Sequence, residues 1–355
     1  VTLARLTVRN FRNLAALDLE FPARGAVIIG ENGQGKTNLL EAIYYLVLFR
    51  SFRGAPDREL VRFGEHGFFL AATRDAETDG RVTAGYDAPS RKKKVTRDGV
   101  EVPRLADAVG SIVAVVLSPA DRALVAGAPA ERRRYLDVLL ALTVPGYLDG
   151  LSAYRAALRQ RNAALRAGRS ETAWAFDEPL ATSGAKIVAA RAAWVAGHAE
   201  RFCALSAALG ERGPAQLGYR GAPGDDTLAA ELRAARARDL RRGTTTVGPH
   251  RDDLRLLLDG KETRHFGSAG QQRTAATALR LLEAETLRAH RGASPLALFD
   301  DAFAELDEDR QARLLALIRE TLPGQAIVTA PRDQEVPAAL CDRPRWQMRE
   351  GRIAT

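Results

Sequence analysis

The sequence predicts an α/β fold with a mainly helical segment inserted into it, on three observations. First, a short apolar run, Ala26 to Ile29, leads into Gly30-Glu31-Asn32-Gly33-Gln34-Gly35-Lys36-Thr37 and then a helical pattern through Leu39, Leu40, Ile43 and Leu46. Second, Leu296-Ala297-Leu298-Phe299 is a buried-strand pattern that ends in the paired carboxylates Asp300-Asp301. Third, between these two the apolar spacing changes from the period of strands to that of helices.

Strand, glycine loop and helix, in that order, let backbone N–H groups wrap phosphate oxygens and bring the anion to a helix N-terminus. Lys36 is placed to reach the β- and γ-phosphates, and the Thr37 hydroxyl to ligate Mg²⁺. A glycine turn that binds nothing is the alternative. All four fixed positions stand in the right context, which favours a nucleoside triphosphate.

At 355 residues the chain has room for two domains, or for one large domain carrying an insertion. No charge-free apolar run reaches the ~18 residues of a membrane span. The best candidate, Ala108 to Ala120, lies between Asp107 and Asp121 and reads as a buried strand. Val1-Thr2-Leu3-Ala4-Arg5 lacks the apolar core of a secretion signal, so a cytoplasmic protein with no membrane partner is expected. Cys203 and Cys341, far apart, suggest neither a disulfide framework nor a zinc site. The net charge of +8 is localised: residues 122–246 hold 19 Lys and Arg against 12 Asp and Glu, a balance of +7 that leaves +1 for the rest. A basic segment joined to a neutral one suits a polyanionic partner such as DNA. An arginine-rich surface without a partner is the alternative.

Taken in order, Leu6 and Val8 alternate as in a strand, and after a turn Leu17, Leu19 and Phe21 alternate again. This predicts a hairpin beside the strand that enters the glycine loop. Its turn, Arg9-Asn10-Phe11-Arg12-Asn13, fits either a contact to base or ribose or a surface turn. Val61 to Leu70 and Val82 to Tyr86 are further strand patterns. Arg91-Lys92-Lys93-Lys94 precedes the hairpin turn Asp98-Gly99. Lysines on a solvated sheet edge, where they block pairing, are favoured there over a DNA contact. Ile112 to Leu117 is a continuous apolar strand.

The texture then becomes helical. Glu131-Arg132-Arg133-Arg134-Tyr135-Leu136 opens a helix. Leu151, Leu158 and Leu165 recur every seven residues, as do Val188, Val195, Phe202 and Leu209. Joined through Trp174, Phe176 and Pro179, they predict an antiparallel pair of helices of about 20 residues, ~30 Å each. The pair is either a short arm or part of a helical bundle. The polar stretch Gly221 to Asp226 and the arginine-rich Leu232 to Arg242 close the segment.

In the last third, Gly248-Pro249-His250-Arg251-Asp252-Asp253 precedes an alternating strand, Leu254, Leu256 and Leu258, with a turn at Asp259-Gly260. His250 is either a phosphate contact or, as is commoner, a satisfied structural histidine. Phe266-Gly267-Ser268-Ala269-Gly270-Gln271-Gln272-Arg273 opens a helix through Ala275, Leu279 and Leu282, a second anion-binding helix N-terminus. The Asp300-Asp301 pair suits one carboxylate for Mg²⁺ and the next for the attacking water. Ala304-Glu305-Leu306-Asp307 follows, and Ala326 to Ala330 is the last core strand.

The glycine loop alone fits kinases, GTPases, helicases and transporter motors. With the Ser268 loop, Asp300-Asp301 and Glu305-Leu306-Asp307, the set resembles the ABC-type ATPases, in which the serine–glycine signature acts on the nucleotide of a second subunit. The expected architecture is an ABC-type ATPase head with a mixed β-sheet core and an inserted basic, mainly helical lobe. Its parts are residues 1–121 with the P-loop, 122–246 as the lobe, and 247–355 with signature, Walker B and D-loop.

Within that class the chain resembles the RecF family, bacterial recombination and gap-repair ATPases related to the SMC heads. The resemblance lies in Leu6 to Asn13, Gly30 to Asn38, Leu117-Ser118-Pro119-Ala120-Asp121, Arg132-Arg133-Arg134-Tyr135-Leu136-Asp137, Val247 to Leu254, Gly270-Gln271-Gln272-Arg273 and Asp300 to Asp307. These fall in one order from end to end, and the Gly-Pro-His-Arg-Asp-Asp and Arg-Arg-Arg-Tyr-Leu-Asp segments are the most specific. The resemblance implies ATP and Mg²⁺, an ATP-dependent homodimer, DNA bound at gaps or single-strand/double-strand junctions, weak DNA-stimulated hydrolysis, and RecR and RecO as partners in recombinase loading. It implies nucleotide contacts from Gly30, Glu31, Asn32, Gly33, Gln34, Gly35, Lys36, Thr37 and Asn38. Lys36 and Asp301 are then catalytic, Thr37 and Asp300 ligate the metal, and Glu305 and Asp307 form the D-loop. Ser268, Ala269, Gly270 and Gln271 form the signature acting in trans. Arg132, Arg133 and Arg134 are the candidate DNA contacts in the basic segment.

Four features depart from the ABC pattern. Asp301 stands where a glutamate is usual, one methylene shorter, which implies slow hydrolysis, a timer rather than a motor. Ala269 replaces a glycine or polar residue, Thr329 falls at the switch-histidine position, and no glutamine fills the Q-loop role near Ser118 to Asp121. Competing readings are a transporter nucleotide-binding subunit, a small-molecule kinase, and a binding module that ATP merely clamps.

Overall fold

The computed structural model describes residues 2–74, 80–221, 225–304, 306–340 and 342–354. Glu305, Cys341 and Ala222 to Gly224 of the polar stretch lie outside the described residues.

In chain order the elements are β1 (Leu3–Phe11), β2 (Leu14–Glu20), β3 (Gly25–Ile29), α1 (Lys36–Leu48), β4 (Gly67–Arg74), β5 (Arg81–Asp87), β6 (Lys92–Arg97), β7 (Val100–Glu101) and β8 (Ala114–Leu117). The next are α2 (Ala123–Ala126), α3 (Pro129–Thr143), α4 (Tyr147–Arg166), α5 (Ser170–Trp174), α6 (Asp177–Ala208), β9 (Ala215–Arg220), α7 (Asp225–Arg242), β10 (Asp253–Leu258), β11 (Lys261–Glu262) and α8 (Thr263–Phe266). The last are α9 (Ala269–Arg291), β12 (Leu296–Asp300), α10 (Glu308–Thr321), β13 (Ala326–Ala330), β14 (Arg345–Arg349) and β15 (Arg352–Ala354). Among the described residues no helix is long and apolar enough to cross a membrane.

By its contacts the chain divides into two units, residues 1–120 with 283–355, and residues 121–282. The boundary expected at 246 therefore lies at 282. The reason is pairing: β10 is laddered antiparallel to β9, and Asp253 at its start is ion-paired to Arg132 of α3, so this stretch belongs with the inserted segment.

Among the described residues the first unit holds two six-stranded sheets. One runs β15-β14-β3-β13-β12-β8, parallel except for β15. Every residue of β3, β8, β12 and β13 is buried, which is why these strands read as unbroken apolar runs: both faces of a parallel sheet are covered. The other sheet is antiparallel, β2-β1-β4-β5-β6-β7. The β1–β2 hairpin thus belongs to a different sheet from β3.

Three strand expectations shift. Val61 makes a single bridge to Phe11, and the strand proper is Gly67–Arg74. The run Ala108 to Ala120 contracts to Ala114–Leu117, because single 3₁₀ turns at Leu105–Asp107 and Pro119–Arg122 flank it. The lysine run sits on β6, an inner strand whose outer neighbour β7 is two residues long, and the Asp98-Gly99 turn has the positive φ values of 51° and 82° that a tight hairpin needs. Lys93 is committed inward, with Nζ 2.8 Å from Asp57 and 2.6 Å from the Phe49 carbonyl.

Among the described residues the second unit is helical with one three-stranded sheet, β11-β10-β9. α4 has the expected 20 residues, but α6 has 32, and it packs on α7 and β9 as well as on α4. The pair is therefore part of a lobe rather than a two-helix arm. Its interior holds Arg161, fully buried, whose guanidinium donates to Asp177 at 2.9 Å and Asp239 at 2.7 Å and lies against Trp174. Pairing of this kind is what allows charge into a core.

Candidate nucleotide site and signature loop

The glycine loop joins β3 to α1 with Gly33 at φ 83° and Gly35 at φ 112°. Gly35 caps α1 in the left-handed region, and a Cβ there would stand 2.8 Å from the Asn13 amide, so the position is closed to side chains on both counts. The Lys36 ammonium is buried and donates to the carbonyls of Gly30 at 2.7 Å and Glu31 at 3.3 Å, which arches the loop over the first turn of α1. The open backbone N–H groups of that first turn suit an anion.

The two carboxylates end β12 directly beside this loop. Thr37 Oγ1 donates to Asp300 Oδ1 at 2.8 Å. Thr329, from the neighbouring β13, holds the pair together: its hydroxyl lies 3.2 Å from Asp300 Oδ1 and 3.2 Å from Asp301 Oδ1, and accepts the Asp301 N–H at 3.1 Å. Asp301 itself is left-handed at φ 47°, a conformation that aspartate tolerates better than bulkier residues, and the chain leaves the strand there. Burial pushes the Asp300 carboxyl above its ordinary range; the Thr37 hydrogen bond opposes the shift and the Asp301 charge adds to it. A carboxylate so placed gains from a cation. The Thr37 hydroxyl and the Asp300 carboxylate, side by side, are the oxygen donors that a hard cation such as Mg²⁺ takes.

A clamp around Gln34 has no counterpart in the motif reading. Asn13 Nδ2 donates to the Gln34 carbonyl at 3.2 Å, and Asn38 Nδ2 donates to Asn13 Oδ1 at 2.9 Å. From the β14–β15 turn, the Gly351 N–H reaches the same carbonyl at 2.8 Å and the Glu350 N–H reaches Gln34 Oε1 at 2.6 Å. Beneath, Arg12 forks onto the buried Glu41 at 3.0 and 3.1 Å. Phe11 is wholly buried, edge-on to Tyr45 and Phe68. The Arg9–Asn13 turn thus buttresses the loop, and its aromatic ring is core, so the base or ribose contact is set aside for Phe11.

In the second unit, Ser268 opens α9 with a capping box. The Gln271 N–H donates to Ser268 Oγ at 3.3 Å, and the Ser268 N–H donates to Gln271 Oε1 at 2.9 Å. Because Oγ accepts here, its own hydrogen is left to donate outward. Ala269 and Gly270 form the first turn, and exposed Phe266 precedes the loop. Of the D-loop pair, Asp307 caps α10 by accepting the Arg310 N–H at 2.8 Å, while Glu305 is outside the described residues.

Comparison with known proteins gives the family. Residues 2–123 match the RecF/RecN/SMC N-terminal domain. DNA replication and repair protein RecF of Anaeromyxobacter dehalogenans is 41% identical, covering 99% of this chain and 98% of its own. That of Myxococcus xanthus is 36% identical over 97% and 94%. The chain belongs to the RecF family. It is a DNA replication and repair protein of the RecF/SMC ATPase class. A solved structure of the recombination mediator RecF with ATP in the RecFOR pathway superposes at TM-score 0.90 with 29% identity, over 99% of this chain and 96% of that one. An Smc head, at 16% identity and TM-score 0.56, shares the fold.

Read as a RecF-family protein, the chain does not use its arginine run as expected. Arg132 is 2% exposed; its guanidinium is bidentate to Asp253 at 2.7 and 3.0 Å and spans the carbonyls of Val125 and Gly127. It is a structural residue, not a DNA contact. Arg133 is half-buried and donates to the Asp252 carbonyl at 2.8 Å; burial, then the Arg191 charge, hold its guanidinium below the ordinary value. Arg134 is also half-buried. His250 is structural too: its Nε2 faces the Thr245 carbonyl at 3.1 Å and Nδ1 faces the Tyr154 hydroxyl at 2.6 Å, which sets the neutral Nε2–H tautomer. The Glu350-Gly351 turn was the one signal that could have flagged the clamp, but nothing local ties it to Gln34.

Proposed function

We propose that this RecF-family chain forms an ATP-dependent, head-to-tail homodimer that engages gapped or single-strand/double-strand DNA and releases it by slow hydrolysis. The observation that carries this is a pair of anion-receiving helix N-termini, at Lys36 and at Ala269, of which only the first belongs to a P-loop. A γ-phosphate held by Lys36 and the first turn of α1 would meet the Ser268 hydroxyl and α9 N-terminus of a second chain. Thr37 and Asp300 would hold Mg²⁺. A cation held there would neutralise charge at the phosphates. Asp301 orients and deprotonates the attacking water, and its short side chain, held back by Thr329, suits weak, DNA-stimulated turnover.

Family membership supports DNA as the polyanion and work in the cytoplasm, and the relative solved from the RecFOR pathway supports RecR and RecO as partners. Light scattering with ATP, with ADP and without nucleotide tests the reading. A dimer is expected with ATP only, and a monomer in all three would overturn it. Phosphate release that rises with gapped DNA, with none transferred to an added acceptor, separates it from a transporter subunit, a small-molecule kinase and a non-hydrolysing clamp.

A further inference from the structure

The P-loop is held from outside by a side chain that is no part of it, Asn13 in the turn between β1 and β2. Its Nδ2 donates to the Gln34 carbonyl at 3.2 Å, and its Oδ1 accepts from Asn38 Nδ2 at 2.9 Å. Asn38 Oδ1 accepts in turn from Arg53 Nη1 at 3.3 Å. A guanidinium can only donate and a carbonyl can only accept, so the two amides between them have one consistent orientation. Arg53 and Asn38 thereby turn the Asn13 donor toward the loop.

Asn13 is also the reason that two of its neighbours are glycine. A Cβ on Gly35 would stand 2.8 Å from its amide, and a Cβ on Gly351 would stand 2.4 Å from its main-chain oxygen. Both glycines are left-handed, at φ 112° and 74°. The close approach lets the Gly351 N–H reach the Gln34 carbonyl at 2.8 Å, a second donor to that oxygen, while the Glu350 N–H donates to Gln34 Oε1. Gly30, Gly33 and Gly35 give this loop more backbone freedom than other residues would, and a bound phosphate chain has to freeze it. A loop already frozen gives up less on binding.

We propose that Asn13 is a positioning residue for the nucleotide. Through the Gln34 carbonyl it holds the P-loop in its phosphate-receiving shape before a nucleotide arrives, and it touches neither phosphate nor metal itself. This role rests on the nucleotide reading of the loop. Two other roles for an asparagine here make different demands. A ligand of the γ-phosphate would matter to ATP and not to ADP. A brace for the fold alone would matter to stability and not to affinity. A preset loop serves both nucleotides alike, because the first turn of α1 would meet phosphates that ATP and ADP share.

The full chain is titrated with ribose-labelled fluorescent ATP and ADP in the presence of Mg²⁺. Asn13→Ala should raise the Kd for each by about fivefold, the two nucleotides staying within about twofold of each other, and KM should rise by more than kcat falls. Asn13→Asp keeps the shape and still accepts from Asn38, but it turns an acceptor to the Gln34 carbonyl and should weaken both nucleotides at least as much. Asn38→Ala, which frees the Asn13 amide to turn, should give a smaller loss of the same kind. Combined with Asn13→Ala it should add nothing, since it acts through Asn13. Hydrogen exchange without nucleotide gives a reading that a brace for the fold would not move. In Asn13→Ala, residues 30–36 should exchange about tenfold faster while Leu296–Asp300 keeps the wild-type rate. Wild-type Kd values in Asn13→Ala, a loss confined to ATP, or loop exchange at the wild-type rate would each overturn the role with nucleotide binding intact. A wild-type chain that binds neither nucleotide would remove the nucleotide reading itself, and this role with it.

Discussion

Thr37 and Asp300 stand 263 residues apart in sequence and 2.8 Å apart in space, hydroxyl to carboxylate. The buried Asp300 has a carboxyl raised above its ordinary value, chiefly by burial. A raised carboxyl means that the folded chain holds the proton more tightly than the unfolded chain. The stability this contributes is present at low pH and is lost as pH rises through the raised value. Burial thus makes the ionised form of Asp300 the costlier one in the folded chain. Asp300→Asn should raise the thermal midpoint of the nucleotide-free protein. The same variant should lose Mg²⁺-dependent nucleotide affinity. A lower midpoint with unchanged Mg²⁺ dependence would contradict the assignment.

Asp301→Asn keeps size and the Thr329 contacts but removes the base. Steady-state phosphate release should fall by about 10²-fold or more while ATP still binds. Normal turnover by this variant would move the base elsewhere.

The trans arrangement is tested by mixing. Ser268→Arg should bind ATP through Lys36 yet fail to dimerise or hydrolyse, and Lys36→Met should fail at ATP binding. A mixed dimer holds one composite site with Lys36 and Ser268 both intact, so the mixture should regain part of the ATPase activity. A monomeric, fully active Ser268→Arg would end the two-chain reading.

Arg132→Ala leaves the buried Asp253 without its bidentate partner, and chemical denaturation should show a loss of about 3–5 kcal/mol. Log affinity for duplex DNA should fall by about 0.9 per contacted phosphate against log salt. Arg241 and Arg242 of α7 are exposed and are candidates for those contacts. Replacing these two by Ala should flatten the salt slope without changing stability; an unchanged slope would place the contacts elsewhere.

Burial lowers His250 from 6.5 to about 4, with the Arg251 and Arg133 charges adding to the shift and the Thr245 hydrogen bond opposing it. The unfolded chain then binds the extra proton between these values, so stability is present above pH 6.5 and lost as pH falls toward 4. The loss should reach about 3 kcal/mol, and His250→Gln should flatten that part of the profile. A wild-type profile already flat over that range would mean that His250 is not buried neutral.

The sequence alone determined the chemistry-bearing elements. Gly30 to Thr37, the Leu296–Asp301 strand and the Ser268–Gln271 helix start are local patterns, in which backbone conformation, a cap or a strand end follows from a few adjacent residues. All three stand where the spacing puts them, and the strands around them are legible because a sheet covered on both faces demands unbroken apolar runs. Tertiary structure alone decided how charge is used. Whether Arg132 faces DNA or Asp253, and whether the Arg9–Asn13 turn touches a ligand or holds Gln34, depends on partners more than 20 residues away. The same holds for the unit boundary, which moved to 282 because β10 pairs with β9. Composition counts an arginine as a free charge; only the packed chain says whether a carboxylate has already neutralised it.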